Sequence, residues 1–322
     1  MGHPARAALI TVCLLSVGVH AAPPAPPTPT TAPAPDLAQR LRTHVDALAT
    51  HIGERNDRHP EALAKAADYI VGQWTQAGYA PQRSPYTAEG KTYQNISVER
   101  VGTKTPQEIV IIGAHYDSAW GTPAANDNGS GVAALLALSR ALAAHTPGRT
   151  LRFVAFTNEE PPHFQTDSMG SLVYARACQA RGEKVVAMLS LETMGYYRDA
   201  KGSQHYPPPL AAMYPDTGNF VAFVGNLKSA ALVKRTVGVF KAKAGFPVEA
   251  AALPSILQGV GWSDHWSFWQ VGVPAVMVTD TAPFRYPHYH KAEDTAEKLD
   301  YPRLAQVVRG LEPVIIDLVD GP

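Results

Sequence analysis

Residues 108–118, EIVIIGAHYDS, decide the fold. Ile109 to Ile112 are apolar in succession, with no polar alternation, which is the pattern of a strand buried on both faces. The run then ends in His115 and Asp117, so polar chemistry begins where the strand stops. Working outward, similar strand-like runs cover 95–101, 151–157, 185–191, 219–224 and 273–279. Helical patterns at 130–144, 168–179, 229–244 and 301–319 separate several of them. Two amphipathic helices fit ahead of the first strand, one capped by Asp36 and running to Ile52, the other over 60–78. Doubly buried strands with helices between them predict an α/β fold: a mostly parallel, mixed central sheet flanked by helices on both faces. The stretch 196–218, rich in proline and tyrosine, is expected as a loop lining the site.

The ends of the chain set its organisation. Arg6 supplies a positive start, residues 7–19 a short apolar stretch, and Val19-His20-Ala21 a cleavage signature. Residues 1–21 therefore read as a signal peptide cut after Ala21, too short in its apolar part for a mature membrane anchor. Residues 22–35 (APPAPPTPTTAPAP) carry no charge and are expected as a semi-rigid spacer. Residues 36–322 are expected to form one catalytic domain, periplasmic or secreted. Of the 322 residues, 28 are Lys or Arg and 28 Asp or Glu, so there is no electrostatic footprint for nucleic acid or a membrane surface. Two cysteines exclude a disulfide framework, and only Cys178 lies beyond the signal. What remains is an enzyme or a binding module.

In open α/β sheets, ligands bind beyond the carboxyl ends of the strands. There lie His115 and Asp117, the pair Glu159-Glu160 after LRFVAF, and Glu192 after VVAMLSL. Asp127 precedes a glycine-rich helix start in NDNGSG, and FRYPHYHKAEDT brings His288 and His290. Zinc takes nitrogen and oxygen ligands, and a metal pair needs a carboxylate able to bridge it. His115, Asp127, Glu160, Glu192 and His290 supply two imidazoles and three carboxylates, enough for two Zn2+ per chain. Glu159 is left over as a base, because adjacent residues of an extended chain point opposite ways. Asp117 suits the outer carboxylate that fixes a ligating imidazole's tautomer.

AHYDS, NDNGSG, FVAFTNEE, LETMGYY and HYHKAEDT, in this order, resemble the M28 zinc peptidases over about residues 60–320. The resemblance implies a secreted aminopeptidase acting on peptide substrates, with Asp127 as the metal bridge and Glu159 as general base. It places His290, rather than His288, among the ligands. Glu192 stands where many members have Asp, a longer arm to the same carboxylate. At Tyr289 some relatives use a tyrosine hydroxyl to stabilise the tetrahedral intermediate; aromatic packing explains the residue as well. Asp264 resembles a polar position near the metals, and a helix N-cap would explain it equally. Trp262, Trp266, Phe268 and Trp269 are expected in the core or the pocket wall. Alternatives in the same neighbourhood are a glutaminyl cyclase with one zinc and, through Arg285 binding a substrate carboxylate, a carboxypeptidase. A metal-free receptor-like module fits less well, since every ligand candidate is present. No G-x-S-x-G, H-E-x-x-H or P-loop occurs.

Overall fold

A computed structural model describes residues 36–207 and 210–321. The predicted signal peptide (1–21) with its cleavage near Ala21, and the spacer (22–35), lie outside the described residues. Eight strands form one sheet: β1 (Gln82–Ala88), β2 (Lys91–Arg100), β3 (Thr105–His115), β4 (Arg149–Phe156), β5 (Lys184–Glu192), β6 (Val221–Asn226), β7 (Val248–Leu253) and β8 (Ala275–Thr279). Their order across the sheet is β1-β2-β4-β3-β5-β8-β6-β7. The centre, β4-β3-β5-β8, is parallel, as is the β6–β7 pair. The pairs β1–β2, β2–β4 and β6–β8 are antiparallel.

The apolar run of β3 divides as its pleat requires. Val110 and Ile112 enter one core, which α1 (Leu37–Val45), α2 (Pro60–Gln76), α3 (Gly131–Ala141), α5 (Ala230–Lys243) and α8 (Tyr301–Asp320) cover. Ile109 and Ile111 enter a second core on the opposite face, under α4 (Gly170–Ala180) and α6 (His265–Gln270). Burial on both faces is why the sequence shows no alternation there. Phe268 belongs to the second core, packed 6.1 Å from Phe156, and Trp269 lies against it. Cys178 is buried in the same core, which pushes its thiol up to about 12.

The helix expected from Asp36 starts as predicted, with the Asp36 carboxylate accepting the Gln39 N–H at 2.8 Å. It continues beyond α1 as π-wound turns over Asp46–Ile52 and stops at Gly53, whose φ of 82° glycine tolerates. A four-residue helix, α7 (Ala282–Arg285), follows β8. No helix of the described residues is long and apolar enough to cross a membrane.

Candidate metal centre

The functional candidates gather at the carboxyl ends of the parallel strands. His115 is the last residue of β3 and Glu192 the last of β5. Glu159 and Glu160 follow β4, where Asn158 turns the chain at φ 56°. The Asp117 carboxylate accepts the backbone N–H of Glu159 at 3.2 Å and of Glu160 at 3.1 Å. It also stands 3.5 Å from His115 Nδ1, the position from which a carboxylate orients a ligating imidazole.

Asp127 arrives on the turn between β3 and α3, and the polar residues around it explain the NDNGSG segment. Asn126 accepts the Gly195 N–H, Asn128 accepts those of Gly131 and Thr193, and Ser130 accepts that of Met194. The turn is thereby stitched to the chain leaving β5. Gly131 is required by contact: a Cβ there would meet Asn128 Oδ1 at 2.2 Å and the Leu191 carbonyl at 2.4 Å. His290, at φ 57°, closes the site from the loop after α7.

Asp127 divides its two oxygens between two sets of partners. Oδ1 lies 3.3 Å from His115 Nε2, which is 3.2 Å from Glu192 Oε2. Oδ2 lies 3.0 Å from His290 Nε2, which is 3.2 Å from Glu160 Oε2. His115/Asp127/Glu192 and Asp127/Glu160/His290 are thus two clusters whose ligand atoms lie within 4.8 Å of one another, and they share only Asp127. A third grouping, His115/Glu159/Glu160, meets the same limit. In it Glu159 Oε2 stands further off, 3.9 Å from His115 Nε2.

Asp117, Asp127, Glu159, Glu160, Glu192 and Asp264 are all buried around two imidazoles, an excess of negative charge that an apolar interior does not tolerate unpaired. Burial drives the Glu159 carboxyl well above its usual range, with Glu160 and Glu192 adding to the rise, and drives Glu192 up to about 8. Desolvation disfavours the charged form of His290, yet its contacts with Asp127 and Glu160 prevail and hold it up at about 11. Both His115 ring nitrogens and Glu160 Oε1 are buried without a hydrogen-bond partner. Orphaned imidazole and carboxylate atoms, in two sets of three around a shared carboxylate, fit a pair of zinc ions, each with a position left open.

The remaining candidates fall around this core. Tyr289 stacks on His290 at 3.9 Å between ring centroids. Burial, reinforced by Asp127 and Glu160, holds its hydroxyl far above the usual tyrosine range, so it stays protonated as a donor. Asp264 occupies the N-cap position of α6 yet makes no capping bond. It is wholly buried, both oxygens lack partners, and burial pushes it up to about 7. His288 packs edge-on against Tyr286, outside the clusters. Arg285 is buried and ties the 196–220 loop together, its Nε and Nη1 donating to Gln204 Oε1 and to the Phe220 and Tyr196 carbonyls, while its Nη2 has no hydrogen-bond partner among the described residues.

Three positioning residues were not among the candidates named from the sequence. Arg55 is fully buried and donates to the carbonyls of Tyr116, Pro123 and Ala124, bracing both His115 and the Asp127 turn. Asp294 accepts the backbone N–H groups of Asn126 and Asp127 at 2.8 and 3.1 Å. Ser263 donates to Glu192 Oε2 at 2.8 Å. The Glu-Asp-Thr turn after His290 held the one available signal, for Asp294. Beside Glu192 lies a mostly apolar pocket of about 760 Å3, open mouth included, whose wall includes Trp262 stacked with Phe284.

The model of Peptidase family M28 matches residues 95–314. The chain is 36% identical over 282 residues to an uncharacterized protein, YfbL, of Escherichia coli, covering 85% of this chain and 86% of that one. Its fold is similar to that of BSAP, a zinc aminopeptidase from Bacillus subtilis, with a TM-score of 0.70 at 14% identity, over 88% of this chain and 95% of that one. A glutaminyl cyclase of Tannerella forsythia has a TM-score of 0.64 at 21% identity, over 87% and 98%. At such identities the structural likeness speaks for the fold alone.

Proposed function

Because this chain belongs to peptidase family M28, we propose that it is a zinc-dependent aminopeptidase that removes N-terminal residues from peptides. The observation that carries this reading is the division of Asp127, one oxygen toward His115 and Glu192, the other toward His290 and Glu160. His115, Asp127 and Glu192 would hold one zinc ion, and Asp127, Glu160 and His290 the other. Two such ions supply Lewis acidity, acidifying a water and polarising the scissile carbonyl.

The chain's own groups do the rest. Asp117 keeps the His115 ring in one orientation through its contact with Nδ1. Glu159 Oε2 takes the proton from the attacking water and returns it to the departing amine. Its surroundings suit that work: burial and the neighbouring carboxylates make the group avid for a proton. Tyr289, its hydroxyl held above the usual tyrosine range by burial, donates toward the charge developing on the carbonyl oxygen. Ser263 and Asp294 hold Glu192 and the Asp127 turn in place. The signal-like start, residues 1–21, supports export, which places the substrates outside the cytoplasm.

Mass spectrometry of peptides incubated with the zinc-loaded protein tests the reading. Stepwise loss of residues from free N-termini is expected, with N-acetylated peptides untouched and all cleavage abolished by a chelator. Release of ammonia alone from an N-terminal glutamine would replace this reading with the cyclase, and shortening from the carboxyl end with the carboxypeptidase.

A further inference from the structure

The pocket beside Glu192 has a carboxylate at its far end. Strand register lines up Glu192 on β5, Thr279 on β8, Ala222 on β6 and Glu249 on β7. Registered partners share a sheet face, so these four side chains form one row, and Ser190, Met277, Val224 and Ala251 form the row two residues away. Both rows lie opposite Val221, Phe223, Val276 and Val278, which are sealed in the larger core. Three inter-strand steps separate the ends of the row, about 14 Å between the Cα atoms of Glu192 and Glu249. Between them the floor is Thr279 and Ala222, small enough to leave the row open.

Among the described lining residues, Glu192 and Glu249 alone carry charge. Glu192 is committed to the metal centre and to Ser263. Glu249 is half-buried, with no hydrogen bond or ion pair to any described residue. Its aromatic neighbours do not serve it: Tyr206 donates its hydroxyl to the Pro215 carbonyl and Tyr214 to that of Ala250. Their rings stack at 5.7 Å between centroids and extend the apolar lining. A long apolar channel ending in an unpaired carboxylate is complementary to a side chain with an apolar stem and a cationic tip. A purely apolar side chain would fill the stem and leave Glu249 unanswered.

We propose that this pocket receives the side chain of the substrate's N-terminal residue and that Glu249 selects lysine or arginine there. The inference rests on the aminopeptidase reading and names its substrate class. Hydrolysis of the 4-nitroanilides of Arg, Lys, Met, Leu and Glu by the zinc-loaded enzyme tests it. Arg and Lys are expected to exceed Met in kcat/KM at least tenfold. Glu249→Gln should reduce that ratio at least tenfold, and Glu249→Lys should turn the preference toward the Glu substrate. Brisk cleavage of Met and Leu without a basic preference, or a ratio unmoved by Glu249→Gln, overturns the assignment and leaves the aminopeptidase standing. Cleavage of no nitroanilide, together with no shortening of free peptides, overturns both.

Discussion

Asp127 and Glu159 show how environment divides labour among similar carboxylates. Asp127 lies between two imidazoles, and although burial opposes ionisation, its contacts with His115 and His290 hold its carboxyl well below the usual range. Glu159 stands further from an imidazole, 3.9 Å from His115 Nε2, and burial outweighs that contact and pushes its carboxyl up. The first environment favours the anion and the second favours a bound proton, which suits the proposed proton exchange. Glu159→Gln removes the exchange while preserving shape. It should retain two zinc ions by mass spectrometry of the native protein and lose roughly 100- to 10,000-fold in kcat. Near-normal turnover with both metals bound would sink the assigned role. His115, Glu160 and Glu192 were legible in the sequence because each ends or follows an apolar strand, and Asp127 because it sits in a glycine turn. His290, in a loop after α7, was singled out over His288 only through the family resemblance. Arg55, equally buried, was not, because its partners are backbone carbonyls that no side-chain pattern records.

The elements differ in legibility for similar physical reasons. Strands β3, β4, β5 and β8 are sealed on both faces, so their composition is unambiguous. Strand β1 (QRSPYTA) lies at the sheet edge, mostly exposed, and carries too little apolar signal to be read as a strand. Its turn did hold a clue: Glu89 and Gly90 both take positive φ, 51° and 74°, as a two-residue hairpin turn requires. Strand β7 (VEAAAL) is the opposite edge, and its alanines resemble a helix until β6 pairs with them. The loop carrying Asp127 is the element on which the metal centre depends most, and Arg55 braces it from below. Arg55→Met would leave the carbonyls of Tyr116, Pro123 and Ala124 without their donor. Zinc affinity, measured by competition with a chelating dye, should fall about 10- to 100-fold, with activity recovering at excess zinc. Unchanged affinity would show that the turn holds its shape through Asp294 and Asn128 alone.

For the whole molecule, two kinds of buried ionisable group set the conditions under which the fold persists. The first is the metal centre, whose crowded carboxylates repel one another when no cation is bound. Chelation should lower the melting temperature by on the order of 10 °C, restored by adding zinc back. The second lies outside the metal clusters. His44 is buried on α1, with Nδ1 2.7 Å from the Tyr69 hydroxyl. Burial, with Arg140 and Arg40 adding repulsion, pushes it down from 6.5 to about 4. Between those values the unfolded chain binds a proton that the folded chain refuses. Stability from the neutral imidazole is therefore complete above about pH 6.5 and drains away as pH falls toward 4, by about 3 kcal/mol in total. Both proteins share the carboxylates and the metal centre, so the difference between parent and His44→Gln isolates this contribution. Urea unfolding at pH 7.5, 6 and 4.5 should show the parent losing more stability than the variant on acidification. Parallel losses in the two proteins would mean that His44 binds its proton equally well in the folded and unfolded chain, and that acid sensitivity resides in the metal centre instead.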